Sequence, residues 1–126
     1  MWPKEIPIPD TIGLNDFYRN NQPCCAVGHL HALGVWSDKR QRPKDLPVKF
    51  EGQLYRSVYD KLYRVLAPGR YVSTYMFNNN DCLNQETRTK LYLLTWAKLG
   101  YTEGMPKYIL DLLEKPEIKA IEVEDI

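Results

Sequence analysis

Between Asn84 and Leu99 the chain carries Leu91, Tyr92, Leu93, Leu94, Trp96, Ala97 and Leu99. A helix over this stretch is apolar around most of its circumference in its last two turns. Such a helix cannot lie on a surface and has to be enclosed by other elements. Asp81 or Asn84 can cap it and Gly100 can close it. The rest of the chain must supply the enclosure, and at 126 residues, 44% apolar and 26% charged, it has the material. A chain of this size buries roughly two-thirds of its unfolded surface. Its composition is that of an ordinary globular domain, which argues against disorder.

The enclosing elements are read from spacing and punctuation. Gln53 to Leu66 reads as a helix with Leu54, Val58, Leu62 and Val65 in one stripe and Tyr55, Tyr59 and Tyr63 in the next, stopped by Ala67-Pro68-Gly69. The tyrosines are expected to line the rim of its buried face. Cys24 to Val35 reads as a shorter helix with Ala26, Val27, Leu30 and Leu33 on one arc and Gly34 as its stop. Gly28 costs helix stability there, about 1 kcal/mol against alanine, which is best explained if another backbone packs close to it. Pro106 to Glu114 reads as a last helix, with Ile109, Leu112 and Leu113 inward and Pro116 as the stop. A short helix over Thr11 to Asn20 is suggested by Leu14, Phe17 and Tyr18 and broken by Asn20-Asn21-Gln22-Pro23. Arg70 to Phe77 is rich in β-formers and reads as a strand before an Asn78–Asp81 turn.

The expected fold is mainly α: one compact domain over 1–126, of four or five helices. A small two- or three-stranded sheet could draw on 46–50, 70–77 and 118–123, and α+β is the alternative. Residues 1–10, with Pro3, Pro7 and Pro9, form an extended arm. Residues 117–126 form an acidic tail. No repeat or low-complexity segment stands out. No apolar run reaches the ~18 residues of a membrane span, and Met1 to Ile6 lacks a signal-peptide core. A cytoplasmic protein is expected, with Cys24, Cys25 and Cys82 as free thiols.

Net charge is +1, so no whole-molecule field draws the chain to nucleic acid. Charge is nevertheless uneven. Lys39, Arg40, Arg42, Lys44 and Lys49 outnumber Asp38 and Asp45, giving a local basic loop. Such a loop suits a few phosphate contacts that fade with salt, or simply a solvated connection. Lys61, Arg64 and Arg70 form a second basic zone, with Tyr71 and Tyr75 able to stack on bases or pack on the core. Phosphate-cradling glycine motifs are absent.

Candidate chemistry centres on Cys24-Cys25, His29 and His31. A cysteine following Pro23 at a helix N-terminus looks like the nucleophile of papain-like hydrolases, where the helix dipole favours thiolate. The spacing of Cys25 and His29 puts both on one face. Yet both histidines lie on the cysteines' own helix, where they cannot converge on a substrate carbonyl as a histidine from another element does. Buried, inert cysteines are the plainer expectation. As metal ligands, Cys25 and His29 would need Cys82 or Asp81 to complete a set, without the two spaced pairs of structural zinc sites. No metal and no cofactor is expected.

Cys25-Ala26-Val27-Gly28-His29-Leu30 and Asn80-Asp81 ahead of an amphipathic helix resemble a family of small actinobacterial and phage proteins of unknown function. That family reads Cys-x-x-Gly-Ala-Leu on an early helix and Trp-Asn-Asp before a later one. Here His29 replaces the alanine, and Asn79 or Phe77 stands near the tryptophan position. The resemblance implies a compact helical fold and a phage or bacterial origin, and carries no activity. The glycine would allow close helix packing and the Asn-Asp pair would cap the later helix.

With no converging catalytic set but nine tyrosines and three tryptophans, the expected function is non-enzymatic binding, by a phage-encoded protein that docks on a host or viral protein. Tyrosine, tryptophan and arginine dominate interface hot spots, so Tyr55, Tyr59, Tyr63 and the Lys39–Lys44 loop are the expected contacts. The alternatives are a cysteine enzyme or thiol sensor at Cys24 or Cys25, and a weak nucleic-acid binder through Lys39, Arg40, Arg42 and Lys44.

Overall fold

The structure is a computed structural model that describes residues 2–36 and 51–123. The described residues form a short hairpin of β1 (Tyr18–Arg19) and β2 (Gln22–Pro23), then α1 (Ala26–Ala32), α2 (Glu51–Leu66), α3 (Met76–Asp81), α4 (Gln85–Lys98), α5 (Lys107–Leu113) and α6 (Pro116–Lys119). The protein is mainly helical with a small two-stranded antiparallel sheet.

α4 is the element around which the others gather. Every residue from Leu91 to Ala97 is buried, Thr95 included. The Thr95 hydroxyl is satisfied within the helix by donating to the Leu91 carbonyl at 2.7 Å. Asn84 caps α4, its side chain accepting from the Thr87 amide at 2.9 Å. At the other end Gly100 takes φ 109°, while its own amide reaches the Ala97 carbonyl and that of Tyr101 reaches Trp96. That left-handed residue closes the last turn, a role glycine fills without a Cβ penalty. α2 packs along α4 on one side and α5 on another.

The α2 tyrosines belong to this core. Tyr55, Tyr59 and Tyr63 are at most 1% exposed. They stack in sequence with ring centroids 6.2 and 6.5 Å apart. The Tyr55 hydroxyl donates to the Tyr92 carbonyl at 3.0 Å, and that of Tyr63 shares a hydrogen bond with the Cys82 thiol. The expected rim of accessible phenols is therefore corrected. α4 is so apolar that the tyrosine stripe is drawn inward together with the leucine and valine stripe, and the hydroxyls of Tyr55 and Tyr63 are satisfied inside.

Three expected elements take other forms. The helix expected over Thr11 to Asn20 is a loop leading into the hairpin. Asn20 and Asn21 adopt φ 53° and 62°, the pair of left-handed residues that a two-residue hairpin turn requires. Tyr18 then faces Pro23, and Arg19 faces Gln22. The strand expected over Arg70 to Phe77 is irregular up to Tyr75 and helical from Met76. Its backbone groups are taken by side chains. Buried Arg56 donates to the carbonyls of Ser73 and Thr74 at 2.6 and 3.0 Å, while Asn79 accepts from the Ser73 amide at 2.7 Å and donates to the Ser73 carbonyl. Groups held in this way cannot also form a ladder. The strand expected over 118–123 is replaced by α6, which starts with Pro116 in its first turn and buries Ile118. Pro116 thus both stops α5 and starts α6. The strand expected over 46–50 lies outside the described residues.

The N-terminal segment is tied down along its length. Trp2 packs edge-on against Trp96 with centroids 5.6 Å apart, and the Tyr101 hydroxyl donates to the Pro3 carbonyl at 2.8 Å. Ile12 is fully buried and clamped at both backbone groups. Its amide donates to Thr89 Oγ1, and its carbonyl accepts from Arg88 Nε, both at 2.9 Å.

Candidate functional site

The segments clamped to α3 and α4 converge on one cleft. Gly28 brings α1 against the hairpin so closely that a Cβ there would stand 2.8 Å from the Phe17 carbonyl carbon. The backbone neighbour expected for Gly28 is therefore Phe17. This contact, with the Phe17 carbonyl accepting from the Cys24 amide at 2.9 Å, fixes the hairpin base on the start of α1.

Asn80 joins the same place from α3. Its carboxamide oxygen accepts from the Ala26 amide at 3.4 Å, and its nitrogen donates to the Gly13 carbonyl and to Asp81 Oδ1, both at 3.0 Å. Cys25 is the N-cap of α1 and makes no capping bond with its own side chain. Asn80 therefore supplies from α3 an acceptor for the first of the free amides that open α1. Asp81 Oδ1 also accepts from the Asn15 amide at 3.1 Å. The Cys25 and Asn80-Asp81 motifs thus meet in space. Capping is their task, although Asn80 caps the early helix, whereas the later one is capped by Asn84.

The resulting cleft, of about 440 Å³, is lined by Asn15, Phe17, Cys25, Tyr75, Phe77 and Asp81. Phe17 and Phe77 stand at 81° with centroids 5.5 Å apart, forming a corner, and Tyr75 flanks Phe77 at 5.5 Å. Tyr75 is 36% exposed and sits at the rim, whereas Cys25 is 2% exposed. Among the described lining residues, Asp81 is the one that carries a charge and Cys25 the one nucleophile.

The geometry does not favour thiolate chemistry. Burial pushes the Cys25 thiol up to about 11, and the nearby amides of Gly28 and Val27 offset only part of that. The helix-dipole activation open to an exposed N-terminal cysteine is outweighed by desolvation. His29 is half-buried beside Tyr92, with centroids 5.5 Å apart, and burial lowers its pKa. His31 Nδ1 shares a 2.7 Å hydrogen bond with the Tyr18 hydroxyl. Cys24 is half-buried, its sulfur 3.8 Å from the Leu14 carbonyl. Each candidate is occupied with a different neighbour. Among the described residues no group of three or more His, Cys, Asp or Glu side chains is placed to hold a metal ion, so Cys25, His29, Cys82 and Asp81 do not form one site.

Lys39, Arg40, Arg42 and Lys44 lie outside the described residues. In the second basic zone, Lys61 Nζ donates to the Glu122 carbonyl at 3.1 Å, while Tyr71 is 84% exposed. No described helix is long and apolar enough to cross a membrane. Compared with protein-family models, curated proteins and solved structures, the chain shows no significant match.

Asn15, Phe17 and Phe77 are the site residues that spacing does not single out. Phe17 reads as part of a helix face and Phe77 as the end of a strand, while Tyr75 reads as a residue that stacks on bases or packs on the core. The usable signal was Asn20-Asn21, which marks a hairpin and places Phe17 at its base.

Proposed function

We propose that the protein is a non-enzymatic binding module, phage-encoded, that docks on a host or viral protein through the Phe17–Phe77 cleft. The observation carrying this is the chemistry of the lining: three aromatic side chains and one carboxylate around a thiol that burial keeps protonated. Aromatic anchors in partly enclosed pockets carry much of the energy of protein interfaces. The phage or bacterial origin draws on the likeness of Cys25–Leu30 and Asn80-Asp81 to the actinobacterial and phage family, and the host cytoplasm is its proposed place of action. The docking surface moves from the buried α2 tyrosines to Tyr75, Phe77 and Phe17.

Affinity capture from bacterial lysate with the wild-type chain and with Tyr75→Ala tests this. Tyr75 is at the rim, so its truncation leaves the core intact. The expected result is a protein retained by the wild type and lost from the variant. Equal retention by both would remove the cleft as the docking surface.

A further inference from the structure

We infer that the cleft receives the ammonium group of a lysine side chain presented by the docked protein. The inference rests on the docking function proposed above and adds the chemistry of the occupant. Three aromatic rings, Phe17, Tyr75 and Phe77, line one cavity together with a single carboxylate, and among the described residues no lysine or arginine lines it. Aromatic faces attract cations through the ring quadrupole, and a carboxylate beside them adds a full opposite charge. A purely apolar occupant would leave the Asp81 charge facing it without compensation.

The choice of lysine over arginine follows from the bonds Asp81 already makes. Oδ1 accepts from both the Asn15 amide and Asn80 Nδ2. Oδ2 accepts no hydrogen bond among the described residues. A guanidinium fork reaches its best geometry with both carboxylate oxygens, whereas an ammonium is a point charge that one oxygen satisfies. Asp81 is also held in place by the Asn15 backbone from another segment and by its own helix neighbour Asn80, so it is oriented before the cation arrives.

The cleft can be tested without the partner. The full chain is titrated with a short peptide bearing one central lysine, with the same peptide acetylated on the lysine amine, and with tetramethylammonium chloride. The readout is the NMR shift of the Phe17, Tyr75 and Phe77 ring signals. The lysine peptide is expected to shift these signals saturably and the acetylated peptide to leave them in place. Asp81→Asn keeps the Oδ1 acceptor and removes the charge. Tyr75→Leu removes a ring at the exposed rim, so at least one variant remains folded. Each is expected to weaken the lysine peptide by about threefold or more. Equal binding of the acetylated peptide, or no loss in Asp81→Asn, would overturn the inference in favour of a plain apolar site. Binding of tetramethylammonium alone would overturn it in favour of a small free cation, and silence from all three probes would overturn it outright. If Tyr75→Ala abolishes capture of a protein that still binds after its lysines are acetylated, docking stands and the lysine falls.

Discussion

Gly28 of α1 lies against the backbone carbonyl of Phe17, with a hypothetical Cβ only 2.8 Å from the carbonyl carbon and nearer still to the oxygen. Two effects then oppose each other in Gly28→Ala. Helix propensity favours alanine by about 1 kcal/mol. Overpacking against a neighbour that cannot rotate away costs about 1–3 kcal/mol, at the upper end where that neighbour is backbone. The hairpin must shift, so a net loss of stability is expected in urea unfolding. The same shift would move Phe17 from the cleft wall.

Two of the three consecutive asparagines, Asn78 and Asn80, should differ sharply. Asn80 is 1% exposed and bonds to Ala26, Gly13 and Asp81, whereas exposed Asn78 makes one long contact, 3.4 Å, with the Ser73 hydroxyl. Asn80→Ala leaves the buried Ala26 amide without a partner, at a cost of about 1–3 kcal/mol, and frees the half-buried Gly13 carbonyl as well. Asn78→Ala should fall within about 0.5 kcal/mol of wild type, as exposed substitutions do. Thermal unfolding of the two variants side by side checks the contrast.

The thiols should label in a set order. Cys82 is exposed, Cys24 half-buried and Cys25 buried with its thiol pushed up to about 11. Alkylation of the native protein at neutral pH, read by mass spectrometry, should modify Cys82 first and Cys25 last. Fast labelling of Cys25 below neutral pH would restore the thiolate chemistry that burial argues against.

Stability should decline on mild acidification through His29. Burial lowers its pKa below the ordinary 6.5. The unfolded chain therefore binds the proton more readily, and stability rises with pH across this window. The contribution is complete above the unfolded pKa and is lost as pH falls toward the folded one. Urea unfolding between pH 5 and 7.5 should show a steeper acid loss in wild type than in His29→Gln.

Much of the helical frame is legible in the residues themselves. The all-round apolar run of α4, its Asn84 cap and the Gly100 stop are local signals, and the structure keeps each. The leucine stripe of α2 and the stop before Pro116 are of the same kind. What the sequence hides depends on distant partners. Arg70–Tyr75 has the composition of a strand, but Arg56 and Asn79 occupy the backbone groups of Ser73 and Thr74. Tyr55, Tyr59 and Tyr63 look like a rim until α4 is seen to need covering on that side. In the cleft, Cys25 and Asn80-Asp81 stand out as motifs. Phe17 and Phe77 do not, because only the hairpin and the start of α3 bring them to the same corner.

The most direct measurement is site-specific photo-crosslinking in bacterial lysate, with a benzophenone side chain placed at position 75 in one chain and at position 71 in another. Tyr71 is the more exposed, at 84% against 36%, and does not line the cleft. Docking through the Phe17–Phe77 cleft predicts a discrete crosslinked protein from position 75 and none, or far less of it, from position 71. An equal yield from both positions, or a product from position 71 alone, would contradict it.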